Sequence, residues 1–288
     1  MFQEKAIHDF ISAAPDRRRV VRSAHRRERR DEERVVILDE PVDLLRREEL
    51  MLQIEQWVVA DEQRIIANHN LHSLYLVRRE PGMREIYDRA DLVQLDSTPL
   101  LHFARLLGLH SRPFHRCTYL DWRDHFWSLA NRRGWRVMYV GGAAGVADTA
   151  AWKLRARYPR ATIAAHSGYF DAAPGSTANA AVVEAVREFA PDVLFVGMGM
   201  PRQELWIMEN LEALPDAVIL PVGAAFDYEA GAQRAAPRWM GSLGLEWLFR
   251  LAADPRRLFV RYCVEPWSLL GPALADIKAA RDRRSAGR

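Results

Sequence analysis

Seven short runs of β-forming residues punctuate this chain, at 35–38, 64–67, 92–95, 136–140, 161–165, 192–197 and 217–222. Most are separated by about 20 or more residues, long enough for a crossover helix between parallel strands. That spacing predicts an α/β fold: a Rossmann-like, mainly parallel sheet with helices on both faces. Ligands of such sheets bind beyond the carboxyl ends of the strands, so the residues just after each run are the ones to inspect.

The sharpest of these junctions is VLFVGMGMPRQELWIMENL, residues 193–211. Apolar β-formers lead into Gly197 and Gly199, and Pro201 opens a helical pattern carried by Leu205, Ile207, Met208 and Leu211. Proline suits a first helical turn, but the Ser, Thr, Asp or Asn expected before it is absent. The N–H groups of the turn are therefore expected to face a ligand, with Gln203 and Arg202 among them.

After 136–140 comes GGAAGVADTAAWKLRARYP, glycines followed at once by a helix. Gly141, Gly142 and Gly145 fit a phosphate-binding turn, and equally a turn that only packs helix on strand. Val140 stands where a dinucleotide fingerprint needs its first glycine, and AAHSGYFD after the next strand lacks the acid that would hold an NAD ribose. A nicotinamide-dependent oxidoreductase is weakened by both, though it stays the alternative enzyme reading.

Asp96 ends the run at 92–95 and precedes Ser97, Thr98 and Pro99. It reads either as a helix cap or as a general base on the ligand-facing edge. After 64–67, Asn68, His69, Asn70 and His72 offer hydrogen bonds without formal charge, which suits sugar hydroxyls. No residue run supplies a third ligand to the two histidines, there is no Asp-x-Asp, and Asp227-Tyr228-Glu229 is a poor substitute. No metal or other cofactor is expected, so phosphates fall to arginines and backbone donors.

Charge is uneven. Residues 1–34 carry 10 basic and 7 acidic side chains, 35–237 carry 21 and 26, and 238–288 carry 10 and 5. The stretch 17–30 has eight arginines against one acid and no clear period, so 1–34 is expected to be a disordered basic arm. A solvated tail is the first reading of it and contact with anionic lipid the second; nucleic acid comes third, because no stacking aromatics accompany the arginines, and no nucleic-acid partner is expected. From 238 to 270, tryptophans and other large apolar residues alternate with arginines, and Pro255 can start a helix with one basic and one apolar side. Residues 35–237 are thus expected to form the α/β domain and 238–288 an amphipathic helical appendage that docks on an anionic membrane surface. The chain lacks an uncharged run of spanning length or a signal peptide, so a cytoplasmic protein is expected. Cys117 and Cys263, the only cysteines, read as packed thiols.

Several segments together resemble the WecG/TagA/CpsF family of bacterial glycosyltransferases: YVGGAAGVADTAAWKLRARYP with HSGYFD, VGMGMPRQELWI, and GAAFDYEAGAQRAAPRWMGSLGLEWLFRLAADPRRLFVRY. The segment IIANHNLHSLYLVRREPGMREIYDRADLVQLDSTPLL agrees as well. The resemblance covers roughly 35–266, and Ser97 stands where the family usually has glycine. It implies inverting, metal-independent transfer of a sugar from a UDP-sugar to a saccharide on undecaprenyl diphosphate, in cell-surface polysaccharide synthesis at the inner face of the cytoplasmic membrane. Under it Asp96 is the base, Arg116 an active-site arginine and Gln203 the glutamine of the Pro-Arg-Gln-Glu motif. Asn68, Asn70, Gly141, Gly142, Gly145, Tyr169, Gly197, Gly199, Arg202, Asp227, Arg256, Arg257 and Arg261 complete the expected substrate-binding set. A non-catalytic lipid-binding module is the non-enzyme alternative; self-association is left open.

Overall fold

The computed structural model describes residues 33–242 and 244–286. The basic arm expected at 1–34 therefore falls almost wholly outside the described residues.

Six parallel strands form the central sheet: β3 (Arg64–His69), β4 (Leu92–Leu95), β5 (Arg136–Gly141), β6 (Thr162–His166), β7 (Val193–Gly197) and β8 (Val218–Pro221), in the order β4-β3-β8-β7-β5-β6. Adjacent residues within a strand are buried on opposite faces. Val137, Tyr139, Val193 and Phe195 enter one core, Met138, Val140, Leu194 and Val196 the other. Burial on both faces makes these strands continuous apolar runs, and that is why the sequence announces them.

The run at 35–38 behaves differently. It forms β1 (Arg34–Ile37), which pairs antiparallel with β2 (Glu40–Asp43) through a two-residue turn at Leu38 and Asp39, both at positive φ. EPVD reads poorly as a strand because Pro41 cannot donate and its acids look solvated. Both acids are in fact buried and used: Glu40 binds Arg84 Nη2 at 2.7 Å, and the Asp43 carboxylate accepts from Val93 N of β4 at 2.8 Å. The hairpin thereby meets a backbone donor of the edge strand β4, which would otherwise stand unpaired.

One face is covered by α1 (Arg47–Ala60), α5 (Tyr119–Arg133), α6 (Val146–Arg157) and α9 (Ala225–Ala230). The other is covered by α2 (Leu71–Val77), α3 (Met83–Arg89), α4 (Thr98–Leu106), α7 (Thr177–Phe189) and α8 (Arg202–Asn210). The chain steps from β5 outward to β6, then returns past β5 to β7 and onward to β8. The connections thus diverge between β5 and β7, the switch point at whose carboxyl ends open α/β sheets bind their ligands.

Beyond the sheet lie α10 (Arg238–Ser242), α11 (Glu246–Ala253), α12 (Pro255–Phe259), a π turn and a 3-10 turn through Leu269, and α13 (Leu270–Ala286). This segment is latched to the body at separated points. Glu246 pairs with Arg116 Nη1 at 2.7 Å, Glu265 meets His72 Nδ1 at 2.5 Å, and Asp276 accepts from Leu38 N at 2.7 Å. Leu258 and Leu269 are buried beneath it.

Candidate active site

Asp96 follows β4, and its backbone N–H continues the sheet by donating to His69 O at 2.8 Å. The cap of α4 is Ser97, whose hydroxyl accepts from Leu100 N at 3.4 Å. With that role filled, no protein donor among the described residues hydrogen-bonds the Asp96 carboxyl. Burial is the main reason its pKa is raised to about 7. The Arg116 and Arg250 guanidiniums pull it down, while Glu246 and Asp121 push it up. A half-buried carboxyl balanced near neutrality and free of partners has the properties of a general base.

Three arginines surround this position. Arg116 binds Asp121 Oδ1 at 3.0 Å and Glu246 Oε2 at 2.7 Å, so its charge is shared with two carboxylates. Arg250 on α11 and Arg261 on the π turn are largely enclosed, and in each the Nε atom is buried without a hydrogen-bond partner among the described residues. Burial is the main influence on Arg261 and lowers its pKa from the usual arginine value, with repulsion from Arg250 adding to it. Two crowded guanidiniums, each with an Nε donor unfilled among the described residues, have the chemistry to bind a multiply charged anion.

The three C-terminal arginines carried over by resemblance separate here. Only Arg261 turns inward. Arg256 and Arg257 are exposed, and Arg257 Nε binds Asp254 at 2.7 Å. The second inward cation is Arg250, which the sequence reading did not assign to the site. Its signal is the spacing of eleven residues to Arg261, close to three helical turns, hidden by the break at Pro255.

The residues after β3 also divide. His69 is fully buried, stacks on Tyr87 at 3.9 Å and contacts Ser73 Oγ at 3.1 Å through Nδ1, so it offers nothing to a sugar. Burial drives its pKa down to about 3, leaving the ring neutral. Asn70 caps α2, its Oδ1 accepting from His72 N and Ser73 N at 3.0 and 3.1 Å, which leaves its NH₂ group for a ligand. Asn68 donates from Nδ2 to Pro221 O at 2.9 Å and so ties β3 to β8.

Gln203 is 2% exposed. Its Oε1 accepts from Gly199 N and Gly223 N, each at 3.2 Å, and its Nε2 donates to Glu204 Oε1 at 2.7 Å. The donor at Gly199 that the sequence reading reserved for a ligand is therefore taken from below by this amide. Arg202 likewise holds structure, donating to Phe170 O at 2.5 Å in the loop after β6. That loop carries Tyr169, which is 78% exposed, and Asp227 lies half-buried on α9.

The glycines sort by what a Cβ would meet. At Gly141 it would lie 2.4 Å from Gly197 O, and at Gly197 2.3 Å from the Tyr139 hydroxyl, so these two let strand ends approach. At Gly145, Gly199 and Gly223 it would meet open space. Gly142, with φ +63°, would meet only the Tyr139 ring edge and the Ala147 methyl at 3.6 to 4.0 Å. The packing and ligand readings of the glycine turn thus apply to different glycines. Gly197→Ala is expected to destabilise the fold by about 1–3 kcal/mol through overpacking, read as a lower denaturation midpoint at unchanged m-value.

Against this geometry, the chain matches the glycosyl transferase WecG/TagA/CpsF family over residues 35–283. It is similar to the N-acetylglucosaminyldiphosphoundecaprenol N-acetyl-beta-D-mannosaminyltransferase of Staphylococcus aureus (strain NCTC 8325 / PS 47), 28% identical over 212 residues, covering 70% of this chain and 80% of that protein. The protein of the same name from Staphylococcus aureus strain MRSA252 shows the same 28% identity and the same coverage. Matched from the first strand of the hairpin deep into the last helix, this chain belongs to the WecG/TagA/CpsF family of glycosyltransferases.

Proposed function

We propose that the protein transfers a sugar from a UDP-sugar to a saccharide carried on a polyprenyl diphosphate, with inversion at the anomeric carbon and without a metal ion. The observation that carries this reading is Asp96: a carboxyl relieved of capping by Ser97, raised to about 7 by burial, on the edge that also gathers Arg250 and Arg261. Asp96 removes the proton of the acceptor hydroxyl as its oxygen forms the new bond to the anomeric carbon. The bond from that carbon to the UDP oxygen breaks with its electron pair, and attack from the opposite face inverts the centre. Charge gathers on the departing diphosphate, and the two enclosed guanidiniums neutralise it.

The acceptor class follows the activity for which the staphylococcal relatives are named, transfer to N-acetylglucosaminyldiphosphoundecaprenol. N-acetylhexosamine donors come first in a panel for the same reason. The test is donor profiling with purified protein, UDP-sugars and a lipid-linked acceptor. Saturable binding of NAD(H) without UDP would favour an oxidoreductase, and lipid binding without transfer a silent module.

No described helix is long and apolar enough to cross a membrane. A peripheral seat at the inner face of the cytoplasmic membrane is part of the proposal. Phe259, Val260, Val264, Trp267, Leu270 and Leu274 are all exposed along the C-terminal segment, beside the exposed Arg256 and Arg257. Apolar groups set among cations suit an anionic headgroup layer. Trp267 at 69% and Leu274 at 66% exposure contribute little to the core, so changing both to Gln is expected to keep the fold. The same pair of changes should weaken cosedimentation with anionic vesicles, and added salt should weaken it further. Unchanged sedimentation would remove this surface from the proposal.

A further inference from the structure

We infer that Glu204 is a positioning residue that, acting through Gln203, holds the glycine turns after β7 and β8 in place. Where those turns meet ligand, the inference rests on the proposed use of a UDP-sugar donor and on these turns bordering it.

Glu204 is 1% exposed, in the first turn of α8: Oε1 accepts from Gln203 Nε2 at 2.7 Å, while Oε2 is buried with no hydrogen-bond partner among the described residues. A half-satisfied carboxyl is a costly thing to bury, and burial lifts its pKa to about 7. For stability alone an apolar side chain of similar volume would serve as well or better. What the carboxyl supplies is direction. An amide can sit either way round in its site, with oxygen or nitrogen toward a given neighbour. With Glu204 Oε1 fixing Nε2, the Gln203 carbonyl oxygen must point to Gly199 N and Gly223 N. Reversed, the NH₂ group would face two backbone donors, and both turns would lose their shared acceptor.

Those turns are the ones that need holding. Gly199 (φ +81°) and Gly223 (φ +54°) both border open space, on neighbouring strands at the carboxyl edge. Their outer sides can approach a ligand only while something fixes their inner sides. The Tyr139 hydroxyl contributes from the same side, contacting Gly197 O and Gly223 O at 3.3 and 3.2 Å. It does not reach Gly199 N, so among the described residues Gln203 is what ties the two glycine N–H groups together.

The experiment compares Glu204→Leu, which removes the acceptor, with Glu204→Gln, which keeps an oxygen in the same place without charge. Three readouts are taken on the full chain: thermal midpoint, amide hydrogen exchange at Gly199 and Gly223 without ligand, and the affinity for UDP. For Glu204→Leu we expect an unchanged or higher midpoint, exchange at both glycines roughly ten-fold faster or more, and UDP affinity roughly ten-fold weaker. Glu204→Gln restores exchange and affinity. The inference is overturned if Glu204→Leu lowers the midpoint while exchange at the two glycines stays as in wild type. It is overturned equally if Glu204→Gln is as impaired as Glu204→Leu, because charge rather than direction would then be what Glu204 supplies. Wild-type protein that binds no UDP would sink the donor-site reading, while the exchange measurement would still decide the role of Glu204.

Discussion

Asp96→Asn is expected to lower the transferase rate by roughly 10² to 10⁴ while leaving UDP affinity within a few-fold of wild type. Asparagine keeps the shape and cannot take a proton, and the backbone bond from Asp96 N to His69 O is untouched by the change. The wild-type rate should rise with pH up to about 7 and level off above it, because only the ionised carboxyl accepts the acceptor's proton. In the variant that rise should be absent. A variant turning over at near the wild-type rate would remove Asp96 from the chemistry.

The same substitution carries an opposite prediction for stability. In the folded chain the Asp96 pKa is about 7, against an ordinary value of 3.8. A carboxyl raised in this way favours the folded state while it is protonated. Its cost therefore appears as pH climbs above about 4 and is complete above about 7. Asp96→Asn should match wild type near pH 4 and exceed it at pH 8 by an amount on the order of 1 kcal/mol, about 2–4 °C in thermal midpoint for a chain near this size. Gain of stability with loss of turnover is the behaviour of a group kept for chemistry, and a melting curve in two buffers reads it.

How much of this was legible beforehand follows from what each residue type can signal. The six sheet strands announce themselves because both their faces are buried, which leaves runs such as VLFVG with no polar alternation to mistake for surface. β2 was missed because its acids look like loop residues until Arg84 and Val93 N are brought to them by the fold. Asp96 could be placed at a strand end from sequence, but its freedom depends on Ser97 turning to cap α4, a choice between two neighbouring side chains that no periodicity records. The place of Gln203 in the first turn of its helix is legible in the sequence, whereas the direction of its amide is not. A one-residue rotation about a helix is 100°, and the partners that decide it, Gly223 and Glu204, come from another strand end and from the next residue. The direction of the C-terminal arginines was beyond reach for a similar reason, since the segment changes from α to π to 3-10 within about 20 residues and loses any single period.

Those arginines carry the second large effect. Arg250→Met and Arg261→Met should each weaken binding of UDP or of the lipid diphosphate by roughly ten- to a hundred-fold, the loss expected when a charge-assisted hydrogen bond is removed. Methionine keeps much of the apolar stem and deletes the guanidinium, whose Cζ lies 5.9 Å from the Tyr262 ring centroid, so the stem's packing is largely retained while that cation contact is lost. Each variant also relieves repulsion within the pair, and burial already works against the charge of Arg261. The folded state should therefore hold or gain stability, in contrast to Arg116→Met, which would strand the Asp121 and Glu246 carboxylates that Arg116 now pairs. Calorimetric titration with UDP and with a soluble diphosphate acceptor analogue tells which phosphate each arginine serves. Losing donor affinity in one variant and acceptor affinity in the other would mean that the pair divides the work. Losing neither would leave the two unfilled Nε donors without a ligand and the anion receptor disproved.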